Sequence, residues 1–122
     1  MSALVRHTRL LRRILRAGTW LCVILLVYLS LIPRKLEVRT GAPGELEHLA
    51  AYFVAATLLA LSYPQRRVLI AAALVMSAGL LETLQALSPG RTARLLDILA
   101  SGAGAALGLW VMSLIPGRDM RP

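Results

Sequence analysis

Four long apolar runs alternate with short polar stretches along the chain, and a proline follows each of them, at Pro33, Pro64, Pro89 and Pro116. Proline breaks a helix interior, so each run reads as a helix made to stop there. The runs cover residues 17–32, 45–63, 68–87 and 92–115. At ~1.5 Å per residue, all but the first approach or exceed the ~30 Å of a hydrocarbon core. The first is about 24 Å long and is expected to borrow a turn from the segment before it. That segment, residues 1–16, interleaves Arg6, Arg9, Arg12, Arg13 and Arg16 with leucines and Ile14. It predicts a short basic amphipathic arm suited to anionic headgroups. No clean small-x-small cleavage site follows Tyr28, so the first run is read as a retained span. The pattern therefore predicts an all-α integral membrane bundle. It has a cytoplasmic arm (1–16), four transmembrane helices (17–116) and a cytoplasmic tail (117–122).

Composition agrees. The chain is 57% hydrophobic with a mean hydropathy of +0.68, too apolar for a soluble domain of 122 residues. A single cysteine excludes a disulfide framework and a thiolate metal site. The net charge of +8 does not point to nucleic acid. The basic residues sit between apolar runs rather than on one solvated, aromatic-bearing face. They set orientation instead. With four spans, nine of the 14 Arg and Lys residues share a side with both termini, and only Asp119 among the acids joins them. The positive-inside rule then puts both termini in the cytoplasm. Trp20, Tyr63 and Trp110 fall toward the inner interface, and Tyr28, Tyr52 and Phe53 toward the outer.

Small residues predict how the helices pack. Ser101, Gly102, Gly104 and Gly108 give the fourth run a small face that admits a close neighbour. Tight packing within one chain is the expected use, ahead of dimerisation; the oligomeric state is left open.

The candidate chemistry gathers at one membrane face. Glu45, Glu47 and His48 open the second run; Glu82 and Gln85 close the third; Arg91, Arg94 and Asp97 open the fourth. Under this topology all lie at outer helix ends, with Glu82 and Asp97 at similar depth. Glu45 and His48 are i,i+3, as are Glu82 and Gln85, and Arg94 and Asp97; His48 and Tyr52 are i,i+4. Glu82 meets the negative end of its helix dipole and Asp97 the positive end of another. Carboxylates separated in this way suit acid/base work. They equally suit structural roles: a Glu82–Arg91 ion pair, an Asp97 cap paired with Arg94, or His48 held by Glu45 or a carbonyl. One histidine with scattered carboxylates lacks a zinc spacing such as HExxH, so no metal and no cofactor is expected.

The order Glu45-x-x-His48-x-x-x-Tyr52-Phe53, Glu82-x-x-Gln85, Pro89-Gly90-Arg91, Asp97 and then Gly102, Gly104 and Gly108 resembles the VanZ-like family of small bacterial membrane proteins. The resemblance covers roughly residues 45–108. The family often has aspartate where Glu45 stands and asparagine where Ser101 stands. It implies a four-helix plasma-membrane protein, in a family named for a member linked to resistance to the glycopeptide teicoplanin.

Two functions are carried forward. One is a binding protein that engages an anionic lipid or lipid-linked cell-wall precursor headgroup. Arg91, Gln85, Glu45 and Tyr52 would contact the ligand, and His48, Glu82 and Asp97 would shape the site. The other is a membrane-embedded hydrolase or transferase on a phosphorylated or glycosylated lipid. There Arg91 clamps phosphate, and His48, Glu82 and Asp97 are the catalytic candidates. A transporter or channel fits less well, because spans one, two and four carry no polar residues at depth.

Overall fold

The computed structural model of the chain describes residues 2–31, 41, 44–87 and 95–115. They form four helices: α1 (Ser2–Leu31), α2 (Gly44–Ser62), α3 (Arg67–Gln85) and α4 (Leu95–Ser113). The described residues of the chain are thus all-α, as the runs predict. α2, α3 and α4 begin and end within three residues of their runs. The basic arm and the first apolar run are one continuous 30-residue helix, with no break at residue 16. No proline lies between Leu15 and Gly18, and a single glycine inside a 30-residue helix costs only about 1 kcal/mol. The loop at 33–40, Pro89, Gly90, Arg91, Arg94 and the tail lie outside the described residues.

Three of the helices are long and apolar enough to cross a membrane: residues 45–62 of α2, all of α3 and all of α4. Their side chains are distributed by size in the manner of a protein in an apolar solvent. The interior is rich in small residues, with Ala55, Ala56, Ala60, Ala78 and Ala105 buried beside Ile70, Leu74 and Met112. The exterior holds large ones, including Leu69, Met76, Leu80, Leu99 and Trp110. In water that exterior would be a very large exposed apolar patch. In lipid it is solvated, and cohesion comes from close backbone approach through small residues.

The closest approach is between α2 and α4, which make the most extensive contact in the bundle. A Cβ on Gly104 would overlap the Leu49 carbonyl oxygen, and one on Gly108 would stand 2.8 Å from the Phe53 carbonyl oxygen. The expected small face of the fourth run is thus used inside the chain. Position 104 meets 49 and position 108 meets 53, so α2 and α4 run parallel. Parallel neighbours need a returning element between them, and α3 supplies it. Ile70, Leu74, Ala78, Glu82 and Gln85 form its buried stripe. The N-terminal ends of α2 and α4 and the C-terminal end of α3 therefore share one end of the bundle.

The other end is fastened to α1 by polar contacts. Thr19, 1% exposed, donates its proton to the Leu15 carbonyl oxygen at 2.8 Å. It therefore accepts from the Ser62 hydroxyl at 2.7 Å. The Arg16 guanidinium lies 4.7 Å from the Tyr63 ring centroid, and Trp20 Nε1 donates to the Tyr63 hydroxyl at 3.0 Å. An arginine, a tryptophan and a tyrosine that hold one another at a helix end make an interfacial anchor. The sequence pattern gives no sign of the Thr19–Ser62 pair.

Candidate functional site

At the shared end, three chemically active side chains come together from three helices. α2 brings His48 on its second turn, α3 brings Glu82 near its last, and α4 brings Asp97 in its first. Each offers one donor atom, and the three atoms lie within 4.8 Å of one another. Glu82 is 3% exposed and Asp97 8%, while His48 is half-buried. The sequence places these residues at matched depth, and the close Gly104–Leu49 approach is what converts depth into contact.

Ser101 organises the histidine. It is buried one turn after Asp97, and its hydroxyl donates to the Asp97 carbonyl oxygen at 2.8 Å. A hydroxyl has one proton, so toward His48 Nδ1, 3.3 Å away, it can only accept. Nδ1 therefore carries the ring proton, and the second ring nitrogen is turned toward the carboxylate. His48 Nε2 stands 3.9 Å from Asp97 Oδ2, too far for a direct hydrogen bond. A lone pair and a carboxylate that face each other this way can share a cation between them. The order Ser101, His48, Asp97 is not a nucleophilic triad. The serine proton is committed to a carbonyl, and the hydroxyl is 2% exposed.

The remaining candidates divide. Gln85 is buried on the Glu82 stripe of α3. Tyr52, one turn from His48, hydrogen-bonds Ser77 and lies in the field of Glu82. Glu45 is half-buried at the start of α2 and already has a polar partner. It is not among the three converging donors. Arg91 and Arg94 lie outside the described residues. Ser101 is the residue that sequence reasoning undervalued. The sequence groups it with the glycines as a small packing residue, and serine in place of the family's asparagine puts a hydrogen-bonding role there in doubt; its i,i+4 spacing from Asp97 marks the same face.

Ser101 is a positioning residue, which sets up a test. Ser101→Ala removes the acceptor that fixes the His48 tautomer but leaves the helix intact. Function at the site is expected to fall about 10- to 100-fold, as for other groups that orient a functional histidine. Protein abundance should stay unchanged. Ser101→Asn, which supplies an amide oxygen as acceptor, should retain more function than alanine. Equal loss in both variants at lowered abundance would reassign Ser101 to packing.

The small-residue interior, the large apolar exterior and three helices of membrane length together mark the chain as an all-α membrane protein, with a buried His–Glu–Asp cluster at one end of its bundle. No protein-family model matches the chain, and no curated protein or solved structure shows significant similarity to it.

Proposed function

We propose that the chain is a four-span protein of a bacterial plasma membrane, with both termini in the cytoplasm, and that it binds an anionic lipid or cell-envelope headgroup at the outer face. The fourth span is the apolar part of α1, which packs along α2 and α3. The arginine asymmetry supports the orientation, and so does the anchor of Arg16, Trp20 and Tyr63 at the opposite end from the cluster. Membership of the VanZ-like family belongs to the same proposal. It is supported by the order and spacing of His48, Glu82, Arg91 and Asp97.

The observation that carries the binding function is the convergence of His48, Glu82 and Asp97 inside the bundle. Ionisable groups at membrane depth are expensive and are retained where they act. Two helix N-termini point their positive ends at this place, which favours an anionic guest. Arg91, in the 88–94 connection between α3 and α4, supplies the planar fork for a phosphate or carboxylate. A membrane-embedded enzyme is the second reading. It is favoured by an imidazole and two carboxylates within 4.8 Å of one another, groups able to carry acid/base work.

The test uses Arg91→Lys, which keeps the charge and loses bidentate geometry. It should insert and accumulate normally, yet retain roughly tenfold less anionic lipid on purification. Full retention would leave Arg91 as a turn residue and remove the clamp from the proposal. A lipid and cell-wall precursor comparison between deletion and wild type separates binding from catalysis, because an accumulated substrate marks the enzyme. Topology is checked with cysteines at Thr40 and Ser88. They should react with an impermeant thiol reagent on cells whose outer barrier is open, and one at Gln65 should not.

A further inference from the structure

The donor set at the shared end has a use that local spacing does not show. We propose that His48, Glu82 and Asp97 form a site for one divalent transition-metal ion of the zinc or manganese class, with coordination positions left open. Three observations converge on it.

The first is geometry. One imidazole nitrogen and two carboxylate oxygens, from three different helices, lie within 4.8 Å of one another. Ligands of a tetrahedral ion with ~2.1 Å bonds stand about 3.4 Å apart. Side-chain rotation of about an ångström closes the set.

The second is an orphaned oxygen. Asp97 Oδ1 is buried and has no hydrogen-bond partner among the described residues, in a side chain whose residue is 8% exposed. A buried carboxylate oxygen left unsatisfied is costly, and native structures seldom tolerate one without a ligand, water or ion. A cation beside the carboxylate removes that penalty.

The third is the orientation of His48. Ser101 holds its Nδ1–H and leaves Nε2 to face the carboxylate, as the outer partner of a metal-bound histidine does. Nitrogen and oxygen donors without thiolate suit zinc, manganese or iron and argue against a soft ion. Cys22, the only cysteine, is on α1 and outside the cluster. Three protein ligands leave room for water or one oxygen of an anion.

The test uses the full-length chain purified in detergent, stripped with chelator and dialysed against Zn²⁺, Mn²⁺ or Co²⁺. Bound metal is counted by plasma mass spectrometry, and Co²⁺ geometry is read from its d–d absorption. About one ion per chain is expected. His48→Gln and Asp97→Asn should each weaken binding at least about tenfold, with far-UV circular dichroism and gel-filtration elution unchanged. His7→Gln, which removes the other histidine, should bind as wild type does. If His48→Gln fails to accumulate, the isosteric Asp97→Asn carries the test. Wild type that holds less than about one ion per ten chains overturns the proposal. So does binding that survives both substitutions. Lipid retention measured in chelator reports on headgroup binding separately, so the two proposals fail independently.

Discussion

Gly104→Ala is expected to prevent the protein from accumulating in the membrane. The added methyl would overlap the Leu49 carbonyl oxygen and crowd the carbon behind it. Backbone cannot rotate away as a long side chain can, so α4 must move off α2. Overpacking of this kind costs about 3 kcal/mol or more, a large share of a small bundle's stability. Gly102 supplies the control on the same helix. A Cβ there meets nothing within 4 Å, so Gly102→Ala should change stability by about 1 kcal/mol at most, in the favourable direction. Membrane-fraction immunoblots and thermal unfolding of the two variants read the difference. If both accumulate alike, the parallel α2–α4 contact is not the axis of the fold.

That contact also shows what could be read from the sequence and what could not. Helix number and extent were legible because apolar runs and their proline stops are local signals. The small face on α4 was legible as a face, but its partner was not. Glycine spacing says that something approaches, and only the three-dimensional path of α3 makes that something α2. The merging of arm and first span into α1 follows from the lack of any proline near residue 16, which the polarity change at Ala17 obscures. At the site, depth could be counted along each run, so His48, Glu82 and Asp97 were foreseeable as neighbours. Their use as a donor set was not, because a search for HExxH-type spacing finds ligands on one helix and these sit on three. The role of Ser101 is hidden for a related reason. A serine among glycines counts as small until its hydroxyl is seen bonding His48 and the Asp97 carbonyl.

Asp97→Asn is expected to stabilise the metal-free protein and to weaken the metal-loaded one relative to wild type. Two effects oppose each other in the stripped state. Loss of the negative charge in the first turn of α4 forfeits a helix-dipole interaction of roughly 0.3–1 kcal/mol. Neutralising the buried carboxylate recovers a desolvation penalty of about 1–3 kcal/mol. The second is larger, so the variant should gain about 1 kcal/mol. Saturating Zn²⁺ or Mn²⁺ reverses the order. An ion at a hundred times its dissociation constant stabilises the wild type by about 2.7 kcal/mol, and the variant by far less. Thermal unfolding in detergent should therefore rank Asp97→Asn above wild type in chelator and below it with metal. A carboxylate that merely holds the fold together predicts a destabilised variant under both conditions. A crossing of the two curves would show that α4 keeps a charge at this depth for what it binds, at the expense of the bundle that carries it.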